Sequence, residues 1–242
     1  ARQIFLPGRQ GTLQVEMLTG ARRNGALAIE IPGRLDALLR ETAAGQPVVV
    51  LLNLGLSWAP SWHYAVVIGY DLDEAAFLLR SGPIERQVLP FETFERTWAR
   101  AGSWAFVVLP PGRLAASADE AQTTSALVAF EKTAPPLRAA TAYRSSLARW
   151  PGSLTIAMGL GNSLYKAGAL PEAETVFKNA ARRHDAAAAW NNLANLLLER
   201  GRLREARDAA QKAVALGGPT LDAARDTLQQ IEARLAASAS PR

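Results

Sequence analysis

The sequence predicts an α+β domain, an antiparallel sheet with helices, followed by an all-α solenoid of helical repeats. Three observations carry this. The first half is filled with short apolar runs bounded by turn residues, "ALAIEI", "PVVVLLNLG", "HYAVVIGY", "AAFLLRS", "ERQVLP" and "WAFVVLPP", as half-buried or buried strands require. Near residue 112 the composition changes to the small, polar "GRLAASADEAQTTS", which suits a linker. Beyond it, helical segments superpose at a constant offset of 33 residues. With 242 residues, 49% of them hydrophobic, the chain can bury two cores. The expected division is a sheet domain over 1–111, a linker over 112–121, repeats over 122–218 with the first degenerate, and a capping helix over 219–237.

Within the first half, "WHYAVVIGYD" and "AAFLLRS" flank the turn-like "DLDE". A hairpin centred there pairs residues whose numbers total about 145 and sets His63 across from Ser81 and Gly82. Asp71 is a tempting partner for His63, but eight residues of strand at about 3.3 Å each put it roughly 26 Å away. Asp71 and Asp73 are therefore expected in the turn. Any group orienting His63 has to come from Arg80 to Gly82 or from a neighbouring strand end such as Asn53. Two readings of His63 stay open: a structural residue beside Trp62 at a strand start, or a general base.

In the second half, "LGNSLYKAGALPEAETVFKNAARRHD" aligns with "LANLLLERGRLREARDAAQKAVALGG". Leu160 falls on Leu193, Gly161 on Ala194, Leu164 on Leu197, Gly168 on Gly201, Ala173 on Ala206, Phe177 on Ala210 and Ala180 on Ala213. Small and apolar positions recur at three and four, as one buried helix face requires. Gly168 and Gly201 fall between helices, and Pro171 suits a first helical turn. This pattern resembles the tetratricopeptide repeat, a helix-turn-helix unit of about 34 residues, with Trp190 as its large packing residue. A degenerate earlier unit ends in "ATAYRSSLARWP", and "PTLDAARDTLQQIEARLAA" reads as a capping helix with Thr220 as N-cap. The resemblance implies a protein partner held by the repeats. "GLGNS", residues 159–163, lies inside a helix with no preceding strand, so its glycines are expected to serve packing rather than phosphate.

Composition narrows the chemistry. There is no cysteine, so these residues hold no disulfide, thiolate metal site or thiol nucleophile. With His63 and His184 as the two histidines, no metal and no cofactor is expected. No apolar run approaches the roughly 20 residues of a membrane span. Residues 1–111 carry ten bases and ten acids, whereas 112–242 carry seventeen bases and twelve acids. That excess is spread along helices and interleaved with acids, which reads as solvated surface and not as a nucleic-acid groove.

A histidine opening a long apolar strand, followed by a second strand, resembles the second half of a papain-like cysteine peptidase domain. It is most similar to the bacteriocin-processing, double-glycine peptidase group. The resemblance runs over residues 4–114. It takes in a first helix near 12–24 with Thr12 as N-cap, a helix and central strand in "GRLDALLRETAAGQPVVVLLNLG", and a closing helix and strand in "LPFETFERTWARAGSWAFVVLPPGRL". It implies peptide-bond hydrolysis by acyl transfer on a peptide or protein substrate, with His63 as general base. The family's cysteine, at a helix N-terminus, and its oxyanion glutamine would lie ahead of Ala1, so the chain as given is expected to be inactive. The family's orienting aspartate meets Arg80 and Ser81 here, which leaves Ser81 and Asn53 as candidate orienting groups. The resemblance also implies a periplasmic or cell-envelope location. The alternative is a non-catalytic scaffold that binds protein partners through the repeats.

Overall fold

The computed structural model describes residues 12–239, and the chain divides into two compact units at the 135/136 boundary. Residues 1–11, including the expected start of the peptidase-like half at residue 4, lie outside the described residues.

The first unit combines helices with a run of four consecutive strands: α1 (Gln14–Arg23), β1 (Leu27–Glu30), α2 (Leu35–Ala43), β2 (Val48–Asn53), β3 (Trp62–Asp71), β4 (Ala76–Ser81), β5 (Ile84–Pro90), α3 (Phe91–Ala99), β6 (Ala105–Leu109) and α4 (Glu120–Glu131). The strands form one antiparallel sheet in the order β1-β6-β2-β3-β4-β5. β2 lies inside the sheet, as its run of valine and leucine requires when both faces are covered. On one face Leu18 of α1 packs with Ala28 and Phe106. On the other, Phe94 and Trp98 of α3 stack against one another, and Phe94 lies 4.7 Å from the Phe77 ring of β4. Thr12 does not cap the first helix. Leu13 stands at the cap position without a side-chain bond, and the Thr12 carbonyl instead accepts the Tyr64 hydroxyl at 3.0 Å.

The predicted linker over 112–121 is part of the first unit. Glu41, wholly buried at the end of α2, accepts from the amides of Ala116 (3.0 Å) and Ser117 (2.7 Å) and from the Ser117 hydroxyl (2.6 Å). Gln46 donates to the Leu114 carbonyl, and Ala115 and Ala118 are buried. α4 then opens with a reciprocal capping box between Asp119 and Gln122. Small polar residues look alike in a tether and in an ordered segment whose main chain meets a buried carboxylate. The expected start of the repeats at 122 therefore moves to 136.

Among the described residues the second unit is built from helices: α5 (Pro136–Arg149), α6 (Leu154–Lys166), α7 (Leu170–His184), α8 (Ala187–Glu199), α9 (Leu203–Leu216), a short 3-10 turn over 218–220, and α10 (Leu221–Ala239). α6–α7 and α8–α9 are the two aligned repeats. Their turns pass through Gly168 and Gly201 at φ of 75° and 71°, a region that favours glycine. Leu160, Leu164, Leu193 and Leu197 are buried, as are Ala173, Ala180, Ala206 and Ala213. The glycines of "GLGNS" serve packing: a Cβ on Gly159 would stand 2.3 Å from the Tyr143 ring, and one on Gly161 2.4 Å from the Phe177 ring. Trp190 is a core residue at 8% exposure, with the Lys212 ammonium 4.4 Å from its ring centroid.

A charge cluster joins the repeats. Glu174 of α7 accepts from Arg200 and Arg202, and Arg202 also grips Glu205. The hydrogen bond from Arg202 holds the Glu205 carboxyl below the ordinary glutamate range, with help from nearby Lys178 and Arg200. A depressed carboxylate pKa stabilises the fold above the unfolded value of about 4.3 and is lost as pH falls through the folded value. Thermal melts of the second unit are expected to lose stability below that range, and Glu205→Gln to reduce the acid-side slope. An identical slope in the variant would rule out this carboxylate as its source. Because the group is exposed, the effect is small and screened by salt.

Candidate functional site

His63 is the second residue of β3 and half-buried. Its backbone partner in β2 is Leu52, and its Nε2 lies 2.8 Å from Ser81 Oγ. The register that brings them together differs from the expected one. Ser81 pairs with Ala65, and the pairing shifts between Val67 and Gly69, where Ile68 bulges out. The turn runs over Leu72 to Ala75, centred one residue later than "DLDE" suggests, and Ala75 takes a φ of 46°. His63 therefore reaches Ser81 diagonally across the ladder, a span that long side chains close. Asp71 sits at the far end of β3, its Oδ1 accepting from the amides of Asp73 and Glu74. Asp73 lies in the turn as expected, whereas Asp71 is the last residue of β3 and pairs with Ala76.

Asn53 is held elsewhere. Paired with Trp62 at the end of β2, it falls by strand alternation on the face opposite His63. Its Oδ1 accepts from the amides of Gly55 (3.0 Å) and Ser61 (2.9 Å), and Arg100 donates to its carbonyl. Asn53 clasps the base of the β2–β3 connection and does not reach the imidazole. Its replacement by alanine leaves two amides without this acceptor, an expected cost of about 1–3 kcal/mol. Hydrogen exchange at Gly55 and Ser61 is then expected to speed up, and unchanged protection would refute the clasp.

Chemically, the His63–Ser81 pair fixes the imidazole through Nε2. With Nε2–H donating to the serine oxygen, the Nδ1 lone pair is available to take a proton, whereas the opposite tautomer has the serine donating. Among the described residues there is no group of three His, Cys, Asp or Glu side chains able to hold a metal, and no helix long and apolar enough to cross a membrane.

A second arrangement lies on α6, α8 and α10. Asn192 Nδ2 donates to Asn162 Oδ1 at 3.0 Å, and Thr227 Oγ1 to Asn195 Oδ1 at 3.4 Å. Asn162 and Asn195 occupy equivalent positions one repeat apart. Each accepts from the next helix of this layer; Asn162 is partly exposed, and the Asn195 amide donates back to the Asn191 carbonyl at 3.1 Å. Sequence reasoning named no binding residue in the repeats. Asparagine recurs there at the 33-residue offset, at positions 162 and 195.

The tetratricopeptide repeat family model matches residues 136–185 and 171–220, and the second unit carries tetratricopeptide repeats. The match lies wholly outside the sheet unit. Among solved structures, the chain is similar to the type III secretion translocator chaperone SycD of Yersinia enterocolitica, at 17% identity and a TM-score of 0.44 over 47% of this chain and 83% of that one. SycD has also been solved with a peptide of the translocator YopD. The tetratricopeptide domain of Sgt2 from Aspergillus fumigatus matches at 17% identity and a TM-score of 0.46, over 50% of this chain and 84% of that one. No curated protein matches the chain.

Proposed function

We propose that the chain is a non-catalytic interaction protein whose repeats hold an extended segment of a protein partner. The observation that carries this is the pair of repeats over 136–220, with amide groups of Asn162, Asn192 and Asn195 on one helical layer, suited to peptide main chain. Such repeats stack into continuous binding surfaces. The test is affinity for a panel of peptides with the 242-residue chain. Asn162→Ala with Asn195→Ala is expected to weaken binding tenfold or more, and His63→Ala to leave it unchanged. Full affinity in the asparagine variant would move the site off this layer.

A second reading, favoured by the 2.8 Å contact of His63 Nε2 with Ser81 Oγ, is a papain-like cysteine peptidase of the cell envelope. In it, Ser81 fixes the imidazole, His63 Nδ1 takes the proton of a cysteine supplied by upstream sequence, and His63 later returns a proton to the leaving amine. It is tested by peptide hydrolysis with the product of the whole gene. Activity abolished by His63→Ala supports it, and hydrolysis indifferent to that change sinks it.

A further inference from the structure

The connection between β2 and β3 is not an irregular loop. The ladder runs from Val48–Val67 to Asn53–Trp62, pairs whose numbers total 115, and it continues beyond the sheet with the same total. Leu54 donates to the Ser61 carbonyl at 2.9 Å, and Leu56 and Ala59 exchange amide-to-carbonyl bonds at 3.1 and 3.2 Å. Ser57 and Trp58 form the tip. The Asn53 clasp holds the base, and Gly55 permits the strands to close, since a Cβ there would stand 2.4 Å from the Ala59 carbonyl oxygen. The result is a hairpin-like arm closed by three main-chain bonds and the Asn53 clasp.

Its surface is unlike the rest of the unit. Trp58 is 83% exposed, Trp62 58%, Leu56 55% and Leu54 54%, and residues 54–62 contain no charge. The edge on the β3 side is open as well. β4 pairs with β3 only as far as Ala65–Ser81, so among the described residues no strand lies along 59–64. Uncovered main-chain groups flanked by large apolar side chains make a template for strand addition.

We propose that this arm docks an extended, uncharged peptide segment bearing large apolar side chains, laid along residues 59–64 beside His63. Three properties select this occupant. An open ladder edge takes a chain in extended conformation. The absence of charge over 54–62 gives an acidic or basic segment no counter-ion and an anionic lipid surface no basic anchor. A second copy would bring its own Pro60, which has no amide to donate, to the same edge, and this weakens self-pairing. The proposal concerns the first unit alone and stands apart from binding by the repeats.

The test titrates the 242-residue chain with capped heptapeptides alternating threonine with leucine, phenylalanine or valine, and with all-threonine and lysine-containing controls, following tryptophan fluorescence. The alternating peptides are expected to bind and the controls not. Trp58→Ser with Leu56→Ser is expected to weaken binding at least tenfold, while the Asn162→Ala, Asn195→Ala variant retains it. Absence of binding by every alternating peptide, or binding indifferent to the arm variant, overturns the proposal. So does partition onto phosphatidylcholine–phosphatidylglycerol vesicles without peptide binding, which assigns the arm to a membrane. Self-association in sedimentation, removed by the arm variant and without peptide binding, assigns it to a second copy and equally overturns the proposal.

Discussion

Gly161→Ala is expected to destabilise the second unit by about 2 kcal/mol, against the ordinary preference of helices for alanine over glycine. Alanine gains roughly 1 kcal/mol in an open helix. Here the added methyl meets the Phe177 ring at 2.4 Å, and Phe177 is 2% exposed, so the ring has no room to retreat. Overpacking of this kind costs typically 1–3 kcal/mol or more, and the thermal midpoint is expected to fall by roughly 10 °C. The other repeat shows how the conflict is resolved, since Ala194 and Ala210 occupy the positions of Gly161 and Phe177. A double-mutant cycle with Phe177→Ala is expected to show coupling, because the alanine at 161 fits only once the ring is gone. Additive effects would show that the two side chains do not meet.

The second large effect is expected at Glu41. Glu41→Ala leaves the Ala116 and Ser117 amides and the Ser117 hydroxyl without the acceptor that binds all three. Unmade hydrogen bonds at a buried carboxylate predict a loss of about 3 kcal/mol in the first unit, with limited proteolysis appearing between residues 112 and 119. Glu41→Gln keeps the volume and one acceptor oxygen, which can still take both Ser117 donors, but its amide then faces the Ala116 N–H, so it recovers only part of the loss. Wild-type stability in the glutamine variant would mean that shape, and not hydrogen bonding, holds the segment.

These two sites mark what the sequence made legible. Helical periodicity, turn glycines and small residues at helix crossings exposed the repeats because each is a local signal recurring at a fixed offset. The glycines at 159 and 161 were readable as packing residues for the same reason. The bond from Glu41 to Ser117 spans 76 positions, and a lone glutamate in an amphipathic helix gives no sign that its carboxylate is buried. Hence an ordered segment read as a linker. The His63–Ser81 pairing was legible in outline, because a hairpin brings the two strand ends together, but the bulge at Ile68 and the extra turn residue shifted its register. Asn53 was misplaced as a partner of His63 because its strand-end position was readable while its commitment to the Gly55 and Ser61 amides was not. The arm was missed because "LGLSWAPSW" lacks the alternation of a half-buried strand, even though the register of β2 and β3 carries on through it.

The constant register of that arm has a consequence for how the protein can change over evolutionary time. Removing Leu56 with Ala59, or inserting one residue on each side, shortens or lengthens the arm and leaves every remaining pair opposite its old partner. An unmatched insertion instead turns the residues beyond it to the opposite face. Related sequences are therefore expected to vary in this connection by even numbers of residues, and an odd change to arrive with a bulge that restores the face of Trp62.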